Sequence, residues 1–218
     1  MTRFYWTLAL VILLATAAAS AIVYPKLPER MPTHWNIKGE IDGYGDKTWA
    51  AFLLPGAMLG LLALFRALPW LSPKPFTMDT FRSTFAFIVA LCMATFAYFH
   101  GLMLWAGLVG PLDIGRMLLA GLCVMFTVMG NVLGKVHKNM YVGVRTPWTL
   151  ASDRVWIDTH RLAARLFVGA GLAGLAVCFT TGLIVATVVT IVLIAVAALV
   201  PVVYSLVHYK RLEKRGEL

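Results

Sequence analysis

The stretch "GLAGLAVCFTTGLIVATVVT", residues 171–190, decides how often this chain crosses a membrane. It sits inside a run, residues 162–209, whose only basic or acidic side chains are Arg165 near the start and His208 near the end. As one helix that run would be about 70 Å long, more than twice the ~30 Å hydrocarbon core. It must double back, and the Thr181-Gly182 pair within "FTTGL" is the natural turn. Two spans result, 162–180 and 183–208.

Outward from there the pattern repeats. Of the 218 residues, 60% are hydrophobic and 13% charged, whereas a soluble domain carries about 25% charged residues. Four more apolar runs, 4–24, 49–71, 84–109 and 117–134, are long enough to span. The expected fold is an all-α membrane protein: one integral membrane domain over 1–218 with six transmembrane helices. The first run imitates a signal peptide ending in Ala19-Ser20-Ala21. At about 20 residues it exceeds the 7–15 of a signal core, so a retained helix is expected.

Charge sets the orientation. With the N-terminus cytoplasmic, only Lys26, Arg30, Lys38, Lys47 and Arg116 of the 19 lysines and arginines face outward. The positive-inside rule then places both termini in the cytoplasm. It leaves an outer loop, 25–48, and an inner loop, 135–161. The net charge of +9 is a topology signal, not a sign of direct nucleic-acid binding. The tail "HYKRLEKRGEL" reads as an anchor on anionic lipid head groups. Cys92, Cys123 and Cys178 fall within spans, without metal-ligand spacing, and act there as small apolar residues.

Several motifs dissolve on inspection. "GAGLAG" (169–174) has the glycine spacing of a dinucleotide loop, yet both flanks are membrane helix and no acid follows. Close helix packing explains it better, as it does Gly56/Gly60 and Gly130/Gly134. "GNVLGK" lacks the spacing and the hydroxyl of a phosphate loop. His100 lies inside a span with no carboxylate to partner it, so a neutral imidazole bonded to a carbonyl is expected. Pro201 should kink the last span. His34 and the pair His137/His160 lie on opposite sides of the bilayer and cannot share an ion. No metal site, no cofactor and no catalytic constellation is expected. An enzyme built on His137, His160 and Asp158 is the weakest reading of the chain.

The two loops hold the remaining information. In the outer one, Pro25, Pro28 and Pro32 bar a regular helix. His34-Trp35-Asn36 could form a short strand; "KGE" (38–40) and "DGYGD" (42–46) are turn signals, and Asp42-Gly43 suits a tight hairpin turn. This loop is either a compact interfacial cap or a surface for something arriving from outside. In the inner loop, Asn131 should bond the last helix carbonyls, and Gly143 is placed for positive φ. Thr146 before Pro147 is pushed out of the helical region, and Ser152 caps a new helix with Asp153 in its first turn. Trp156, His160, Ala163 and Phe167 share one helical stripe. Arg145 needs partners, which nearby carbonyls or Asp153 and Asp158 could supply. This segment is either a membrane-lying hairpin pinned by Trp148 and Trp156 or a preorganised dock.

Together the two loops resemble the SdpI-type bacterial immunity membrane proteins. Leu27, Pro28, Pro32, His34, Trp35, Asn36, Gly39, Asp42 and Gly43 fill that family's outer pattern. Gly130, Asn131, Asn139, Gly143, Arg145, Thr146, Pro147, Trp148, Thr149, Leu150, Trp156, Thr159, His160 and Arg161 fill its inner one. The resemblance implies a multi-pass protein of the bacterial inner membrane that gives immunity to a secreted peptide toxin. It further implies a signal receptor that holds a small cytosolic transcriptional repressor at the membrane. The outer motif would then face toxin and the inner one the regulator. A small transporter or channel of unknown solute is the alternative.

Overall fold

The structure is a computed structural model that describes residues 1–110 and 112–218. Helices α1 (Thr2–Val23) and α2 (Lys47–Leu71) flank a β-hairpin of β1 (Arg30–Trp35) and β2 (Ile41–Asp46). Helices α3 (Arg82–Leu108), α4 (Ile114–Leu133), the short α5 (Pro147–Ala151), α6 (Asp153–Thr180) and α7 (Leu183–Arg215) follow. Among the described residues six helices are long and apolar enough to cross a membrane. The fold is an all-α membrane bundle with one small hairpin.

Helix α6 begins at Asp153, where Ser152 caps it as expected by accepting a bond from the Val155 N–H, and runs unbroken into the apolar stretch from 162. The last helix extends beyond its expected end. Helix α7 runs on to Arg215, ending at Gly216 with φ +66, and it continues unbroken through Pro201. Its 33 residues make it about 50 Å long. Helix α2 starts where the Asp46 carboxylate accepts from the Thr48 N–H at 2.8 Å and the Trp49 N–H at 3.3 Å. Those amides hold the Asp46 carboxyl below its ordinary pKa.

The helices gather into two triplets. One is α1 with α2 and α3; the other is α4 with α6 and α7. At their seam the Tyr98 hydroxyl of α3 donates to the Met117 carbonyl of α4 at 2.9 Å. The largest core cluster bridges both, joining Leu13, Met58, Phe85 and Met93 of the first triplet to Val132, Trp156 and Ala163 of the second. A smaller one beneath the hairpin holds Leu27, Met31, Ala51 and Leu104.

Small residues set the spacing within the second triplet. A Cβ on Gly130 would lie 2.8 Å from the Val168 nitrogen and 2.9 Å from the Ala164 carbonyl oxygen. One on Gly171 would lie 2.6 Å from the Cys123 carbonyl oxygen, and one on Gly174 2.9 Å from the Cys123 sulfur. Backbones therefore touch there, as close packing requires. Gly56, Gly60 and Gly169 face open space instead, which corrects the expectation that they bring helices together. Gly130→Leu should lower the thermal unfolding midpoint in detergent, at an overpacking cost of about 1–3 kcal/mol. Gly56→Leu should leave the midpoint nearly unchanged, and equal shifts would show that α4 and α6 do not cross tightly.

Candidate functional site

The antiparallel helices put the two conspicuous loops at opposite ends of the bundle. The hairpin meets the start of α2, the start of α4 and the start of α7. The loop before α5 meets the other end, where the His137 ring lies 6.3 Å from that of Phe81 at the start of α3.

That second end is built around an irregular segment, residues 134–146, which folds back on α6. Its centre is Asn139, fully buried. The Asn139 Nδ2 donates to the His137 and Val142 carbonyls at 2.8 and 3.0 Å. Its Oδ1 accepts from the Tyr141 and Val142 N–H groups, both at 2.7 Å. All four hydrogen-bonding positions of the amide are used. The chain then turns at Gly143, with φ +109, where a Cβ would collide with the His160 ring.

His160 explains why the chain comes so close. Its Nδ1 lies 2.8 Å from the Trp156 carbonyl oxygen, and the Val144 N–H points at its Nε2 from 3.0 Å. A carbonyl only accepts and an amide N–H only donates. The geometry therefore assigns the neutral ring with its proton on Nδ1. The ring stacks on Trp156 with centroids 4.1 Å apart, and the Trp156 Nε1–H donates to the Val136 carbonyl at 2.7 Å. Two neighbours on one helix face thus fix both strands of the loop.

Thr146 is extended, as the following Pro147 requires, and caps α5 in a reciprocal box with Thr149. The Thr149 hydroxyl also donates to the Val144 carbonyl at 2.8 Å. Thr146 reaches Ser205 of α7 at 3.0 Å between hydroxyl oxygens. Asn139, Thr146, Thr149, Trp156, Thr159 and His160 are buried, whereas Arg145, Pro147 and Arg161 are exposed and Trp148 is half-buried. The residues of the inner pattern therefore divide into a hidden scaffold and a small presented set.

Of the partners open to Arg145 it is a carbonyl that is found, whereas the expectations for Asn131 and His100 need correction. Arg145 pairs with neither acid; it donates to the Met140 carbonyl, because Lys138 takes Asp153 at 2.6 Å and His208 takes Asp158 at 2.9 Å. Asn131 lies exposed within α4 instead of capping its end, since the helix runs on to Leu133. The Asp158–His208 link was illegible in the sequence, as 50 residues separate the partners. His100 bonds the Ser20 hydroxyl of α1 at 2.6 Å where a carbonyl was expected.

At the first end, His34 and Trp35 do lie in a strand. Of the two turn signals, the one at Lys38-Gly39-Glu40 forms the turn and the one at Asp42-Gly43 does not. Gly39, with φ +82, makes it within residues 36–40, and the Asn36 Oδ1 accepts from the Lys38 and Glu40 N–H groups. Asp42 and Gly43 instead sit in β2, opposite an irregular register around His34. A Cβ on Gly43 would stand 2.8 Å from that of His34, so glycine serves the cross-strand contact and not the turn. The Asp42 carboxylate pairs with the His34 Nδ1 at 2.5 Å, on the exposed face. The tip is not free: a Cβ on Gly115 of α4 would lie 3.0 Å from the Gly39 Cα.

Among the described residues no group of three His, Cys, Asp or Glu side chains is placed to hold a metal ion. Asn139→Asp keeps shape but turns two donors into acceptors facing two carbonyls. It should destabilise the protein by on the order of 2–3 kcal/mol and open residues 134–146 to limited proteolysis. Unchanged proteolysis would remove Asn139 from the centre of the loop.

Comparison with known proteins agrees with this arrangement. The SdpI/YfhL protein family model matches residues 135–205, from the irregular loop through most of α7. A domain of unknown function, DUF1648, matches residues 11–59, which include the hairpin. The chain is 25% identical over 206 residues, 94% of its length and 96% of the relative's, to the immunity protein SdpI of Bacillus subtilis (strain 168). No solved structure matches. The resemblance to SdpI-type immunity proteins thus covers nearly the whole chain, and the six apolar helices make it a multi-pass bacterial membrane protein.

Proposed function

We propose that this chain is an immunity and signal-receptor protein of the bacterial inner membrane. In this reading the hairpin end faces outward, toward a secreted peptide toxin. The end built on Asn139 and His160 faces the cytoplasm, toward a small transcriptional repressor. Both termini are then cytoplasmic. The observation that carries the reading is the pair of ordered, differently built faces at opposite ends of one bundle. A relative of nearly equal length that is an immunity protein supports it, and the distribution of lysine and arginine supports the orientation.

The protein holds its partners and catalyses no reaction on them. At the loop end, both His160 nitrogens and the whole Asn139 amide are committed to the backbone. A group so committed has no proton to exchange with a substrate. What faces solvent is Arg145, Pro147 and part of Trp148, with exposed Met140 beside them. Aromatic and arginine side chains on a rigid base are the usual anchors of a protein interface. At the other end the exposed groups are His34, Asp42 and Tyr44 along the hairpin, with Ile37 and Glu40 near its tip.

Cells expressing the chain should survive a membrane-active peptide that kills cells lacking it. Arg145→Ala should weaken capture of the cytosolic partner more than Arg215→Ala at equal expression; equal effects would make the loop ordinary connecting chain. Cysteines replacing Trp35 and Trp148 should react with an impermeant thiol reagent from opposite faces of the membrane. Labelling of both from one face would overturn the arrangement.

A further inference from the structure

A groove of about 390 Å³ runs between α1 and α2, walled by Leu10 on one side and Leu59 and Leu62 on the other. Its mouth carries Thr7 and Arg66. The Arg66 guanidinium lies over the Trp6 ring, 5.6 Å from the centroid, and Phe85 of α3 meets that ring edge-on at 6.2 Å. Trp6 is thus a fixed platform. Among the described residues no carboxylate lies within ion-pair distance of Arg66. An arginine on an exposed helix face within a span, with no acid beside it, needs an account.

Depth supplies one. Trp6 lies near the start of α1 and Arg66 near the end of α2, each about 7 Å inside its helix terminus at 1.5 Å per residue. That is the level where head groups meet hydrocarbon. Leu59 lies about 10 Å deeper along α2, so the apolar walls extend toward the middle of the ~30 Å core. The groove has the length of part of one acyl chain in one leaflet and a cation at its head-group end.

We propose that this groove binds one acidic phospholipid, its phosphate on Arg66 and one acyl chain between α1 and α2. Guanidinium forms paired N–H bonds to phosphate oxygens, while the Trp6 face holds its other side. A zwitterionic lipid would bring its own ammonium against Arg66 and fits less well. The site stands apart from both loops and holds whichever way the protein is oriented.

The full chain, purified in mild detergent with phosphatidylglycerol and then washed, is measured by native mass spectrometry. About one phosphatidylglycerol should remain per chain. Arg66→Gln should reduce retention about tenfold, the scale of one charge-assisted bond. Leu59→Trp, which fills the groove and leaves the cation, should abolish it, while Arg215→Gln should not matter. Equal retention of phosphatidylcholine, unchanged retention in Arg66→Gln or Leu59→Trp, or displacement by millimolar inorganic phosphate would each overturn the proposal. Elution as a monodisperse peak shows that each variant is folded, so loss of lipid then reports on the groove alone.

Discussion

Backbone that leaves the helix beside a membrane has no lipid partner for its N–H and C=O groups and must find them within the protein. Residues 134–146 meet part of that demand through four side chains. Within that segment Asn139 serves four backbone groups, Thr149 two, and His160 and Trp156 one each. The neutral tautomer of His160 is part of the same requirement, since only an unprotonated Nε2 can receive the Val144 amide. Arg145 and Trp148 are well positioned because the residues around them have no freedom left.

The same demand explains which residues are polar and which are apolar along α6. On one face, Val155, Trp156, Thr159, His160 and Ala163 are buried. Lower down the same helix, glycines replace bulk where α4 and α7 press against it. One helix thus serves as the wall of the loop at one end and as the packing spine of the second triplet at the other. This is why the sequence of α6 changes character near Leu162 although the helix itself does not.

Much of this was legible in the sequence. Apolar run length alone settles the six spans and the turn at Gly182, and local grammar gives Gly143, Thr146-Pro147 and Ser152. What escaped depends on partners distant in sequence. Both Lys38-Gly39-Glu40 and Asp42-Gly43 look like turns by composition; the first makes the turn with Asn36, whereas the second glycine answers a cross-strand neighbour. Asp158 looks available to Arg145 until His208 is brought beside it by the return of α7. Gly56 and Gly60 carry the spacing of a packing motif, but spacing cannot say whether a helix lies opposite.

The hairpin also has a mechanical consequence. Its base is continuous with α2 and rests on Met31 against α3, while its tip touches Gly115 of α4 and Leu183 of α7. It is a second tie between two triplets that the largest core cluster already joins. A load applied at its tip would therefore bear on the starts of α4 and α7 as well as on α2.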